Sequence, residues 1–277
     1  MTVLAVALDL LREARSRRWI VGLVAAATLL LVLLALGLRL EVVDGALAAT
    51  RLFGSDLRTD VRSVDVALRP LFVATSHFLF YAGLVFGIVA TADFAPALLA
   101  PGRVEYLLAL PVRRWQALAG IFAGVELLVL GGAAYGGVGV TLVLWAKTGV
   151  LSAGPILAAI CAAVAFTPVY GAMLAAAVAA RSASLSGGAG LLMLISGVVA
   201  GNRTALSDLF QEGPSRAVFL AVTALLPRLS TLSGIGADAA AARPLAAGPV
   251  LGLAAGTLAF AAGVLAFAVD RFQRKDY

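Results

Sequence analysis

The chain has one cysteine, one histidine and two lysines, and only 13% of its 277 residues are charged. A lone Cys161 excludes an internal disulfide, and within its apolar run it reads as a small packing residue. His77 has no companion ligands nearby in sequence, so it reads as a packing residue and no metal site is expected. There is no Gly-x-x-x-x-Gly-Lys-Ser/Thr phosphate loop, and neither Lys147 nor Lys275 has that setting, so the chain is not expected to hydrolyse ATP itself. The Gly-x-Ser-x-Gly elbow and the His-Glu-x-x-His helix are also missing, so no enzyme activity is expected. No internal repeat is visible, which argues against a secondary carrier built from paired halves.

What is abundant is apolar side chain, at 62% of the residues. Runs of about 20 apolar residues mark membrane spans. The expectation is an all-α polytopic membrane protein, one domain over 1–277, with six transmembrane helices at about 19–38, 71–92, 116–146, 151–180, 185–200 and 250–269. The first run is longer than the core of a cleaved signal, about 7–15 residues, and reads as a retained helix. Run 116–146 is too long for one perpendicular span, so it tilts or extends beyond the bilayer. Pro168 predicts a kink in the fourth span. Within the ambiguous stretch 201–249, the apolar piece 217–226 is too short to cross and reads as a re-entrant or surface helix ended by Pro227.

The polar segments give an orientation. Residues 1–18 pattern as an amphipathic helix, with Arg12, Arg15, Arg17 and Arg18 just before the first span. Cations flanking the first and last spans place both termini in the cytoplasm by the positive-inside rule. On that map the cytoplasmic pieces hold eleven Lys and Arg and the longer external pieces ten, so the bias resides in the flanks and not in the totals. Segment 39–70 balances its charges, and Val42, Val43, Ala46, Leu47 and Phe53 suggest a helix lying on the outer surface. The net charge of +6 is set beside apolar runs instead of along a basic stripe. Lipid headgroups are therefore the expected anion, and nucleic acid is not an expected partner.

The most informative polar segment is 93–115, between the second and third spans. Pro101 suits a helix start, and a turn or two is expected from Arg103 to Leu110 before Pro111 stops it. Arg113, Arg114 and Trp115 then mark re-entry into the bilayer. The run Leu99-Ala100-Pro101-Gly102-Arg103-Val104-Glu105-Tyr106-Leu107-Leu108-Ala109-Leu110-Pro111-Val112-Arg113-Arg114 resembles the corresponding loop of type 2 ATP-binding-cassette (ABC) permeases, with a Gly, an acid, a Leu-Leu pair, a Pro and an Arg. Leu225-Leu226-Pro227-Arg228-Leu229 and the basic tail are also similar to that family. Two details differ: the usual acidic cluster is reduced to Asp93, and Gly120-Ile121 stands where Gly-Lys is often found.

What the resemblance implies is a permease subunit, an exporter, in a bacterial plasma or inner membrane. Segment 93–115 would be a cytoplasmic coupling helix docking into a separate ABC ATPase, with Arg103, Glu105, Tyr106, Leu107, Leu110, Arg113 and Arg114 as contacts. No cofactor is expected in this chain; ATP and Mg would belong to that partner. A homodimer or a paired permease would complete the path. The alternative is a non-transporting assembly factor or an intramembrane enzyme. Glu126, inside the third span, is a candidate for the transport path, and the competing reading is a structural hydrogen bond to a neighbouring helix. Cysteine labelling tests the map: Ser184→Cys is expected to react only from the cytoplasm, and labelling from outside would overturn the topology.

Overall fold

The computed structural model describes residues 3–16, 18–43, 46–52, 55–58, 62–105 and 113–275. Lipid offers no partner to a backbone N–H or C=O, so apolar runs of this length fold as helices. Among the described residues, five helices are long and apolar enough to cross a membrane, or six if one bent pair counts as a span.

The chain opens with the amphipathic α1 (Val3–Ser16) and α2 (Arg18–Gly37). A small antiparallel sheet follows: β1 (Leu38–Val43), β2 (Ala46–Leu52), β3 (Ser55–Arg58) and β4 (Arg62–Ser63). Then come α3 (Val64–Thr91), the short α4 (Phe94–Leu98), α5 (Arg114–Thr148), α6 (Gly154–Ala180) and α7 (Ala183–Gly201). The remainder is α8 (Arg203–Ser207), α9 (Pro214–Ala224), α10 (Leu229–Ala240) and α11 (Ala247–Gln273). The five candidate spans match the expected runs 71–92, 116–146, 151–180, 185–200 and 250–269 as α3, α5, α6, α7 and α11. The expected first span is the helix α2, whose described apolar part Val24–Gly37 is shorter than these, and the sixth candidate is instead the bent pair α9 and α10.

Helix directions follow from paired contacts. Phe122 meets Tyr170 and Gly137 meets Ala159, so α5 and α6 are antiparallel. The Thr28 and Tyr135 hydroxyls bond at 2.7 Å and Leu31 covers Gly139, so α2 runs parallel to α5. α6 and α11 run the same way, since Gly171 faces Val264 and Lys275 reaches Val178. Both ends of the described chain therefore lie at one end of the bundle, beside the start of α5. The opposite end is closed by a second cluster of Leu38, Leu68, Phe72, Val140, Leu144 and Ala240.

α6 is the central helix and packs against α3, α5, α7, α10 and α11. Phe166, Val169, Tyr170, Met173 and Leu174 on it are fully buried. Pro168 leaves α6 as one helix: it cannot donate to the Val164 carbonyl, and the Thr167 hydroxyl donates there instead at 2.8 Å.

Two expectations are corrected. The stretch expected as an outer surface helix is strand, with Val42 paired to Leu47 and Val43 to Ala46; Phe53 lies outside the described residues. Asp44-Gly45 stands between Val43 and Ala46, and Asp-Gly is favoured in two-residue hairpin loops because both positions tolerate positive φ. The second correction concerns 201–249. The expected 217–226 helix is α9, and beyond Pro227 the chain bends by 68° into α10, which the apolar-run reading did not separate. α10 is an internal element, packed against α6 so closely that a Cβ on Gly236 would lie 2.6 Å from Ala158 Cβ. Ser233 on α10 is buried and its hydroxyl bonds the Tyr81 hydroxyl at 3.1 Å.

α5 has 35 residues, about 52 Å at 1.5 Å per residue, against a hydrocarbon core of about 30 Å. Its first turns are covered by α1, where a Cβ on Gly120 would meet Val6 Cβ at 2.5 Å and one on Gly124 would meet Ala7 Cα at 3.1 Å. Gly252 on α11 has nothing within 4 Å. Gly120→Val is therefore expected to destabilise the protein by about 1–3 kcal/mol through overpacking, and Gly252→Val by less than about 0.5 kcal/mol. Thermal unfolding in detergent reads the difference, and equal melting temperatures would show that α1 does not rest on α5 in solution.

Candidate functional site

The polar end of the bundle gathers the N-terminal helix, the segment between α3 and α5, and the C-terminal tail. That segment leaves α3 through α4, whose Phe94, Ala95 and Pro96 are buried. Leu99 is also buried, and the chain then reverses over Ala100 to Gly102. Gly102 takes φ +81°, a left-handed conformation that a side chain would strain. One helical turn follows at 103–105. Val104 is 1% exposed and joins the main core, which fixes the turn against the bundle.

The charged residues of this turn bond internally. Glu105 accepts from the Gly102 N–H through Oε2 at 2.6 Å, closing the turn on itself. Arg103 forms an ion pair with Glu13 of α1. Those side chains are 45% and 21% exposed, so solvent screening limits the pair to about 0–1 kcal/mol. Its main effect is positional, because it holds α1 against the turn. Tyr106, Leu107 and Leu110 lie outside the described residues, as does Pro111, so the helical turn expected to reach Leu110 is described only to Glu105.

Arg113 is exposed at the N-cap of α5, and its backbone N–H donates to Gln116 Oε1 at 3.0 Å. Arg114 turns inward. Its Nη1 donates to the Gln273 carbonyl at 3.1 Å and the Lys275 carbonyl at 2.8 Å, at the end of α11. Lys275 in turn donates from Nζ to the Val178 and Ala179 carbonyls, both at 2.8 Å. These are among the last carbonyls of α6, which lack intrahelical partners and carry the negative end of the helix dipole.

Deeper in the bundle, Glu126 has one carboxylate oxygen that is buried and, among the described residues, without a hydrogen-bond partner. The Tyr170 hydroxyl is in the same condition. Phe122, one turn before Glu126, tilts against the Tyr170 ring with centroids 5.9 Å apart, so the two groups belong to the same α5–α6 contact. The buried oxygen faces into the bundle on a half-buried residue, and the structural hydrogen bond of the competing reading is not made by that oxygen. No group of three or more His, Cys, Asp and Glu able to hold a metal is present among the described residues, and His77 stacks on Tyr81 at 6.4 Å.

Sequence reasoning named Arg103, Glu105, Arg113 and Arg114 but missed Glu13, Tyr170 and the role of Lys275. Glu13 is the one glutamate among the arginines of 12–18, a usable signal for an internal ion pair. Lys275 stands just beyond a helix end, where a cation suits that helix's own carbonyls. That it bonds another helix is a tertiary fact with no local signature.

A buried hydroxyl lacking a partner costs about 1–3 kcal/mol relative to one that is bonded. Tyr170→Phe should therefore keep or raise the melting temperature, and Glu126→Gln should keep the fold. A drop of several degrees in Tyr170→Phe would show that the hydroxyl has a partner in the membrane-embedded protein. Comparison with known families and with curated proteins finds no match for this chain.

Proposed function

We propose that this chain is the membrane-spanning permease subunit of an ABC exporter, coupled to a separate cytoplasmic ATPase that carries ATP and Mg. The observation that supports the reading most is the mounting of segment 93–115. It leaves the bundle through a buried helix, turns over a left-handed glycine, is pinned by Val104, and leads into the long α5. A segment fastened at both ends transmits a push to the helices without absorbing it. On this reading the polar end of the bundle faces the cytoplasm of a bacterial plasma or inner membrane. α2, α3, α5, α6, α7 and α11 are the six crossings, and α9 with α10 dips into the membrane and returns. A second copy or a related permease completes the path, and Glu126 with Tyr170 lies in the helices that move.

Mechanically, closure of the ATPase pair displaces the 101–114 segment, and α5 carries the displacement into the bundle. Tyr106, Leu107 and Leu110 supply the apolar anchor, with Arg103, Glu105 and Arg113 at its rim. Pull-down of the ATPase and permease-stimulated ATP hydrolysis in membranes test this. Leu107→Asp, which puts a charge into the anchor, is expected to weaken association by at least about tenfold, or 1.4 kcal/mol. Glu105→Arg should weaken it too, whereas Glu105→Gln keeps an acceptor for the Gly102 N–H and should retain most of it. Wild-type association and stimulation by both Leu107→Asp and Glu105→Arg would remove the coupling assignment.

A further inference from the structure

The four hydrogen bonds around the C-terminal tail add polar links between three helices that already pack against one another along their apolar faces. Arg114 is the first residue of α5 and grips the Gln273 and Lys275 carbonyls with one guanidinium nitrogen. Lys275, three residues beyond the buried Phe272 of α11, places its ammonium on two carbonyls of the last turn of α6. The tail is thereby held from both sides, by α5 through its backbone and by α6 through its side chain. α6 and α11 are packed along much of their length, from Gly171 against Val264 to this end.

We propose that the C-terminal tail is an internal clasp linking the start of α5 to the ends of α6 and α11, so that displacement of the 93–115 segment moves the three helix ends together. Arg114 is then a positioning residue inside the permease and not a contact for the ATPase. The geometry suits this role. Cations at helix C-termini meet oriented carbonyl dipoles, and both cations here use two carbonyls each, which fixes direction as well as distance. A link through backbone carbonyls is also indifferent to the identity of the residue that provides them, so it holds α6 and α11 without any acidic partner. The part of the proposal that concerns transmission rests on the coupling reading above; the clasp itself does not.

Two measurements separate them. The first uses a Cys161→Ala background with spin labels on Trp115→Cys and Ser184→Cys, at exposed positions beside the ends of α5 and α6. The inter-label distance distribution in detergent is expected to be narrow in the parent and broadened in Arg114→Gln and in Lys275→Gln, with no ATPase present. An unchanged distribution in both variants overturns the clasp. The second compares ATPase association with permease-stimulated hydrolysis. Both variants are expected to bind the ATPase as the parent does and to lose about tenfold in stimulation, the effect of losing a charged hydrogen bond. Loss of association in Arg114→Gln with wild-type behaviour in Lys275→Gln would make Arg114 a partner contact and overturn the proposal. If the parent itself binds no ATPase, the coupling reading fails, and the distance measurement alone decides the clasp.

Discussion

The last four carbonyls of a helix have no partner within it, and at a membrane surface each must find a donor in water or in the protein. Much of the polar end of this bundle is arranged around that constraint. Carbonyls at the end of α6 are met by Lys275 and those at the end of α11 by Arg114. Because the donors come from other elements, satisfying the backbone also joins α5, α6 and α11.

Within the apolar part the same constraint is met locally. Hydroxyls in the spans return to a carbonyl one turn back: Ser76 to Phe72 at 2.8 Å, Thr91 to Gly87 at 2.8 Å, Thr141 to Gly137 at 2.7 Å and Thr257 to Leu253 at 2.9 Å. A Ser or Thr treated this way is nearly neutral to its surroundings and leaves no polar atom seeking a partner. Glu126 Oε1 and the Tyr170 hydroxyl are not satisfied in this way: neither has a partner among the described residues, and a phenol is too long to bond its own preceding turn. Their polarity is therefore directed between helices, where a change in the α5–α6 contact would alter it.

Much of the fold was legible because the bilayer simplifies the code. Hydrophobic run length located the crossing-length helices α3, α5, α6, α7 and α11 within a few residues, apart from the N-terminal extension of α3 to Val64, and it located α2 as a helix but not as one of the crossing-length set. The errors fall where the lipid constraint gives no guidance. The 38–63 region contains a sheet whose signal, Asp44-Gly45 beside two short apolar pairs, was outweighed by a helical reading of the same residues. α10 was hidden because Gly234 and Gly236 dilute its hydropathy, although the latter is what lets it approach α6. At the site, charge and spacing identified the segment but not the partners of its charges. Arg103 finds Glu13 ninety positions away in sequence, and Arg114 finds the tail 159 and 161 positions away.

That difference changes how the segment is read. On sequence alone, Arg103, Glu105 and Arg114 are exposed charges available to another protein. In the folded chain each is bonded internally: Arg103 positions α1, Glu105 closes the turn, and Arg114 holds the tail. Removing any of them disturbs the mounting before it removes a contact, so loss of function at these positions would not by itself identify an interface. Pro101 and Gly102 are exposed beside Arg103 and Glu105, whose side chains are exposed even while bonded internally, and Arg113 is exposed at the head of α5. Recognition of such a surface depends on its shape and on how firmly it is held. The internal bonds of the charged residues provide that firmness, so on the proposed coupling reading they would matter to docking as much as any residue in contact.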